Sequence, residues 1–192
     1  MTANRLCIVR HGSTPWSKSG RHTSYTEVEL TPEGRAQAAA LAPVLGSERF
    51  ALVLTSPRAR ARETATLAGF PNAVVDEDLA EWNYGELEGL TSDEIHARGG
   101  EWSSWTIFTG AVPGGETLGE VAARARRVLA RVDAASGDVC CFGHGHMLRV
   151  LTTVALSLDP SAGMRFALEP ATVNVVGYEH DDRALYAWNV RG

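Results

Sequence analysis

Short apolar runs recur along this 192-residue chain, and each stops abruptly at polar residues. Leu6-Cys7-Ile8-Val9 gives way to Arg10-His11-Gly12, residues 51–54 to Thr55-Ser56-Pro57, and residues 139–142 to Gly143-His144-Gly145-His146. Such runs are too short for helices and suit strands buried on both faces, where helices cover a parallel sheet. Helical patterns lie between them. Thr31-Pro32-Glu33 reads as an N-cap with proline at the first helical position, opening a helix through 36–42 that Pro43 kinks or closes before Gly46. Thr55-Ser56-Pro57 is expected to open another helix by the same device. Thr117-Leu118-Gly119-Glu120 has capping-box spacing and heads a helix to about Ala135. A further helix is expected over 148–156, a strand over 73–75, and a terminal hairpin from 173–178 and 184–190. This alternation predicts an α/β fold: a three-layer α/β/α sandwich with a mostly parallel sheet flanked by helices.

Residues 80–115 carry no clear period. Their glycines and Trp82, Trp102 and Trp105 predict an ordered excursion, a lid or specificity segment, within one domain spanning 1–192. The formal net charge of −5 gives no whole-protein field for nucleic acid or an anionic membrane, although a local cationic pocket is compatible with it. Lys18 is the sole lysine, so the positive charge is almost all arginine, whose planar fork suits oxyanions. Cys7, Cys140 and Cys141 sit in apolar runs without metal-ligand spacing and read as small hydrophobes. With no signal peptide or membrane-length apolar segment visible, the expected compartment is the cytoplasm.

Charge is excluded from strand interiors unless paired, so Arg10 and His11 should lie where the first strand leaves the core. His144 follows another strand in the same way. In a parallel sheet both histidines reach one edge, where ligands of open α/β sheets bind. The arginines of Ser56-Pro57-Arg58-Ala59-Arg60 stand at the start of a helix, a position that favours anions. Together these groups make a site for a dianionic phosphate. His96 and His180 fall in surface segments, and His22 near the first loop stays undecided.

Arg10-His11-Gly12 after the first strand resembles the signature of the histidine phosphatase superfamily, the phosphoglycerate mutase-like group. Further elements follow in that family's order: Gly20-Arg21-His22-Thr23, Leu30-Thr31-Pro32-Glu33-Gly34, Ser56-Pro57 with Arg60-Ala61 and Glu63-Thr64, Glu81 with Tyr84-Gly85 and Glu88-Gly89, Pro113-Gly114-Gly115-Glu116, and Gly143-His144-Gly145. The resemblance covers roughly residues 5 to 178 and implies a phosphohistidine mechanism. It makes His11 the nucleophile, with one ring N–H held by a backbone carbonyl and the other nitrogen free. Arg10, Arg60 and His144 would bind the equatorial phosphate oxygens. Arg60 is selected over Arg58, which is left as an ion-pair partner. Glu81 would be the general acid, a carboxyl beside Trp82 suiting that task, with Glu86 and Glu88 in exposed positions. Ser17, Thr23, Ser24, Tyr84 and Gly145 fall at phosphate- or substrate-binding positions. Ser17 replaces a usual asparagine, Ser13 a usual acidic residue, and Ser24 a usual glycine, so the Ser24 side chain is expected to narrow the pocket.

Mutases of the family hold a second anion with a basic insertion before Pro-Gly-Gly-Glu. Here that stretch, Trp102-Ser103-Ser104-Trp105-Thr106-Ile107-Phe108-Thr109, has no cation, although Arg98 stands near a family lysine position. The resemblance is therefore to the actinobacterial acid-phosphatase-like members, carried by Trp16-Ser17-Lys18-Ser19-Gly20-Arg21-His22-Thr23 and Glu27-Val28-Glu29-Leu30-Thr31. It implies a metal-independent phosphomonoester hydrolase acting on a small phosphorylated metabolite, a sugar phosphate included. No cofactor is expected; bisphosphoglycerate would enter only in the alternative of a mutase-type phosphotransferase. A second alternative is a catalytically silent phosphate-binding member, and a third, a metal-dependent hydrolase, lacks ligand spacing. A homodimer through a sheet edge near the terminal hairpin is the expected assembly.

Overall fold

Alternate residues of the first strand face two different cores, and this sets the architecture. In the computed structural model, which describes residues 4–192, strand β1 (Leu6–Arg10) turns Leu6 and Ile8 into one buried cluster and Cys7 and Val9 into another. Strand β4 (Val139–Gly143) divides the same way, Val139 and Cys141 on one face and Cys140 and Phe142 on the other. Covered on both faces, these strands need no polar alternation, which is why they read as continuous apolar runs. All three cysteines are buried and free within them.

The six-stranded sheet has the order β3-β2-β4-β1-β5-β6. Strands β2 (Leu52–Thr55), β3 (Val74–Val75), β4 and β1 run parallel, while β5 (Val173–Glu179) pairs antiparallel with β1 and with β6 (Asp182–Val190). The hairpin strands extend further than expected, leaving only His180 and Asp181 as the turn, with His180 at φ 57°. Helices cover both faces, as the alternation predicts. Against the Leu6/Ile8 face pack α6 (Leu118–Ala134) and α7 (Gly145–Ala155). Against the other pack the helical residues Leu45 and Ala65, together with Leu41 and Ala68 at helix ends.

Local capping explains most helix starts. Thr117 and Glu120 form the reciprocal capping box that heads α6. Thr31 accepts from the Gly34 amide at 2.9 Å and Pro32 opens α2 (Pro32–Ala40), which breaks at Leu41 before α3 (Ala42–Gly46) restarts over Pro43. A short α1 (Pro15–Ser19) follows the first strand, capped by Thr14 and Ser17. At Thr55-Ser56-Pro57 the expectation fails: α4 (Ala59–Leu67) starts two residues later, with Arg58 at its N-cap and no side-chain cap. Helix α7 begins earlier than sequence suggests, at Gly145.

Gly12 owes its place to packing. A Cβ there would lie 2.4 Å from the Gly34 carbonyl oxygen, so the loop after β1 and the start of α2 meet backbone to backbone. Residues 80–115 are ordered without regular strands. They hold two short 3-10 helices, Gly85–Leu87 and Gly100–Ser104, on either side of α5 (Ser92–His96), and Trp82, Trp105, Ile107 and Phe108 are buried in the main core. No helix among the described residues is long and apolar enough to cross a membrane.

Candidate active site

Three parallel strands end at one edge of the sheet, and each delivers a polar residue there. Arg10 lies opposite Gly143 in the β1–β4 register, so His11 and His144 leave the sheet side by side. The His11 amide donates to the Gly143 carbonyl at 2.9 Å and the Ser56 amide to the Phe142 carbonyl at 2.9 Å, tying all three strand ends together. The two imidazoles stand edge to face with centroids 5.2 Å apart.

His11 Nδ1 lies 2.8 Å from the Gly12 carbonyl oxygen. A carbonyl only accepts, so Nδ1 carries the proton and Nε2 presents its lone pair. Burial, reinforced by the charges of Arg10 and Arg60, holds the His11 imidazole well below its ordinary pKa. The neutral, nucleophilic form is thereby the resting one.

Three residues that neighbour this ring each keep a buried nitrogen without a hydrogen-bond partner among the described residues: Arg10 Nε, Arg60 Nε and His144 Nδ1. The rest of each group is anchored. Arg10 donates to the Leu168 carbonyl, and Arg60 donates to the Thr26 and Thr23 carbonyls at 3.1 Å each and to that of Ser24 at 3.2 Å. His144 Nε2 lies 2.7 Å from Ser56 Oγ, which also accepts from the Arg58 amide at 3.3 Å. A Ser56 hydroxyl that donates to Nε2 leaves the ring proton on Nδ1. Burial and the neighbouring Arg60 and His11 push the His144 pKa well down. Buried donors are rarely left unpaired, and three in one place mark where an anion with several acceptor oxygens fits.

Glu81 is buried at the same site. Its Oε1 accepts from the amides of Trp82 and Met147 at 2.8 Å each, and its Oε2 from that of His146 at 3.1 Å. The first turn of α7 thus holds the carboxylate through free amides. A cavity of about 410 Å³ opens over these groups; Arg10, His11, Ser17, Thr23, Glu81, Tyr84 and Gly145 lie on its wall. Arg60 and His144 are more deeply buried, just behind it. Burial, with Glu81 beside it, raises the Tyr84 pKa well above its ordinary value, and the Tyr84 hydroxyl lies 2.6 Å from His146 Nδ1.

Several expectations need correction. Ser24 does not narrow the pocket, since its hydroxyl turns away to Glu88 and only its carbonyl serves the site, through Arg60. Glu88 is half-buried rather than exposed, and accepts from the amides of Ser24 at 2.9 Å and Thr26 at 3.1 Å, fixing the loop that holds Arg60. Glu86 is exposed, as expected. Ser17 spends its hydroxyl on the α1 cap. Arg58 stands 3.6 Å from Glu27 and over Tyr25, an ion-pair partner beside the site. Arg98 packs over Trp102 and is absent from the cavity wall. His22 is on that wall, its Nδ1 2.8 Å from the Leu90 carbonyl. So is His96, in contrast to the surface position expected of it; it donates from Nε2 to the Trp105 carbonyl at 2.8 Å. Sequence reasoning missed His146 and Arg149, although the helical register after Gly145 puts them a turn apart on one face. Among the described residues no cluster of three or more metal-ligating side chains occurs.

Comparison with known proteins matches residues 6–191 to the histidine phosphatase superfamily (branch 1). The chain is 40% identical to an acid phosphatase of Mycobacterium tuberculosis, over 98% of this chain and 94% of that one. It is 33% identical to a 2,3-bisphosphoglycerate-dependent phosphoglycerate mutase of Gloeobacter violaceus, over 91% and 85% respectively. A solved structure of a Mycobacterium tuberculosis protein superposes with a TM-score of 0.92 at 38% identity, covering 98% of both chains.

Proposed function

The chain belongs to the histidine phosphatase superfamily, and on that premise we propose that it is a phosphomonoester hydrolase working through a phosphohistidine on His11. One observation carries the reading. His11, a neutral imidazole with Nε2 free, packs edge to face on His144 and feels the charges of Arg10 and Arg60, and each of these three neighbours keeps a buried nitrogen without a partner among the described residues: Arg10 Nε, Arg60 Nε and His144 Nδ1.

In this reading the phosphoryl group of a small phosphorylated metabolite sits among those donors, and His11 Nε2 attacks phosphorus as the ester bond breaks. The transition state spreads charge over the equatorial oxygens, where fixed cationic donors act without reorganising. Glu81 delivers a proton to the leaving oxygen. It then takes one from the water that cleaves the nitrogen–phosphorus bond, which restores both groups. Ser17, Thr23, Tyr84 and Gly145 border the substrate, and Ser24 acts by holding Arg60. Any side chain at 145 would meet the Arg10 guanidinium, whose carbon lies 3.5 Å from a Cβ built there. The chemistry runs without a metal.

Hydrolysis is favoured over mutase-type transfer by the wall that residues 80–115 build. Trp105, Ile107 and Phe108 give the cavity wall an apolar stretch, and that segment adds no cation to the wall for a second phosphate. The experiment is hydrolysis of p-nitrophenyl phosphate in the presence of a chelator, with His11→Ala as the comparison. Turnover by the natural sequence and a loss of at least about a thousandfold in the variant are expected. Comparable turnover by both would overturn the reading.

A further inference from the structure

One residue of α7 is tied to both Glu81 and Tyr84. The His146 amide donates to Glu81 Oε2 at 3.1 Å, and His146 Nδ1 lies 2.6 Å from the Tyr84 hydroxyl. Neighbouring rings fix the plane of the imidazole: it stacks on His22 with centroids 5.9 Å apart and stands edge to face on Phe108 at 5.6 Å. Burial, and after it the Arg149 charge, hold the His146 pKa well below its ordinary value, so the ring is neutral and keeps one bare nitrogen. Burial, and after it the charge and hydrogen-bonding contact of Glu81, keep the Tyr84 phenol un-ionised. Between a neutral phenol and a neutral imidazole the hydroxyl is the better donor and the bare ring nitrogen the better acceptor. The shared proton therefore sits on Tyr84 and points at Nδ1.

That hydroxyl matters through Glu81. As general acid, Glu81 must carry a proton before the ester bond breaks, and a buried carboxyl proton needs an acceptor. The Trp82, His146 and Met147 amides only donate to it, and Arg10, Arg60 and Arg149 bring positive charge. The phenol oxygen serves, provided its own proton points elsewhere. We propose that His146 is a positioning residue for the acid step, an inference that rests on the phosphomonoesterase reading above. Its Nδ1 draws the Tyr84 hydroxyl proton aside, so that a phenol lone pair receives the proton Glu81 carries. Neither the phenol proton nor the ring proton is transferred. Glu81 gives its proton to the leaving oxygen and regains one from the water that cleaves phosphohistidine, while Tyr84 and His146 end as they began. The start of α7 thus serves Glu81 twice, by the His146 amide and by the His146 ring.

The test compares phenyl phosphate with p-nitrophenyl phosphate, which are close in shape and differ in how much the leaving oxygen needs a proton. Both form the same phosphohistidine, so kcat/KM isolates the step in which Glu81 acts as acid. His146→Phe keeps a ring in place and removes the acceptor, which frees the Tyr84 proton to turn toward Glu81. For phenyl phosphate kcat/KM should fall by about tenfold or more, and for p-nitrophenyl phosphate several times less. His146→Asn, whose amide oxygen can stand where Nδ1 stood, should recover most of the loss. A merely structural role would lower both esters alike. Equal losses in His146→Phe, or no recovery in His146→Asn, would overturn the assignment. NMR of protein labelled at its histidine ring nitrogens reads the same bond without turnover. His146 should carry its proton on Nε2, and Tyr84→Phe should move its Nδ1 resonance; a proton on Nδ1 would overturn the assignment. If the natural sequence turns over neither ester, the phosphatase reading falls, and the tautomer alone decides whether His146 orients the Tyr84 hydroxyl.

Discussion

At His11 the useful fact is which nitrogen is occupied. Gly12, the next residue, supplies the carbonyl that takes the Nδ1 proton, so the motif carries its own tautomer lock. His144 has no such neighbour and depends on Ser56, 88 positions away in sequence. This makes Ser56 a positioning residue, and Ser56→Ala tests it. Without the hydroxyl, Nε2 loses its donor and the ring proton is no longer directed to Nδ1. Steady-state kinetics should show kcat lower by about tenfold or more, with a stability cost of about 1–2 kcal/mol in denaturant unfolding. The partnership is also the reason the sequence reading of Thr55-Ser56-Pro57 went astray. A serine before a proline is a good local N-cap, but here its hydroxyl is committed to a residue on another strand. Arg10, His11 and His144 were legible because their motifs stand at strand ends, whereas Arg60 and Glu81 were singled out from neighbouring candidates by the family resemblance. Arg149 was not, because a single arginine inside the apolar run of α7 reads as a solvated helix position.

At the scale of elements, the segment bearing Glu81 is irregular and is held from outside. Arg124 on α6 donates to the carbonyls of Asp78 at 2.7 Å and Ala80 at 2.8 Å, and meets Glu116 at 2.8 Å. Glu116 in turn accepts from the Asn83 amide at 2.9 Å and, through its carbonyl, from Trp82 Nε1 at 2.8 Å. The glutamate of Pro113-Gly114-Gly115-Glu116 is thus part of a clamp that aims the 81–84 loop at the α7 amides. Gly85 serves the same contact: it takes φ +50°, and a Cβ there would lie 2.2 Å from the Pro113 carbonyl oxygen. Replacing Arg124 by Met leaves Glu116 uncompensated in a mostly buried place. Urea unfolding should show a loss of about 2–4 kcal/mol, and kcat should fall more than KM changes. Capped helices such as α2 and α6 were readable because N-caps are local. The 80–115 excursion was not, because its order comes from buried tryptophans and from bonds reaching α6 and α7, and these leave no period in the sequence.

Over the whole molecule, a chain of net charge −5 gathers Arg10, Arg60 and Arg149 around one cavity, together with buried imidazoles. Parallel strands end at one edge, so the convergence of His11 and His144 followed from the fold class alone. The order β3-β2-β4-β1 depends on packing between distant segments and could not be read locally. The pKa values of His11, His22, His144 and His146 are all lowered, by burial first in each case. Between those values and about 6.5 the unfolded chain binds more protons than the native one, so stability rises with pH through that window and is lost as pH falls through it. The melting temperature of the ligand-free protein should therefore drop between pH 7 and pH 5, and the drop should shrink in His146→Phe. The account as a whole turns on covalent phosphorus at a named atom. Rapid acid-free quenching after mixing with a labelled phosphomonoester, followed by peptide mapping, should place the label on Nε2 of His11 and nowhere in His11→Ala. Label on any other residue, or on Nδ1 of His11, would contradict it.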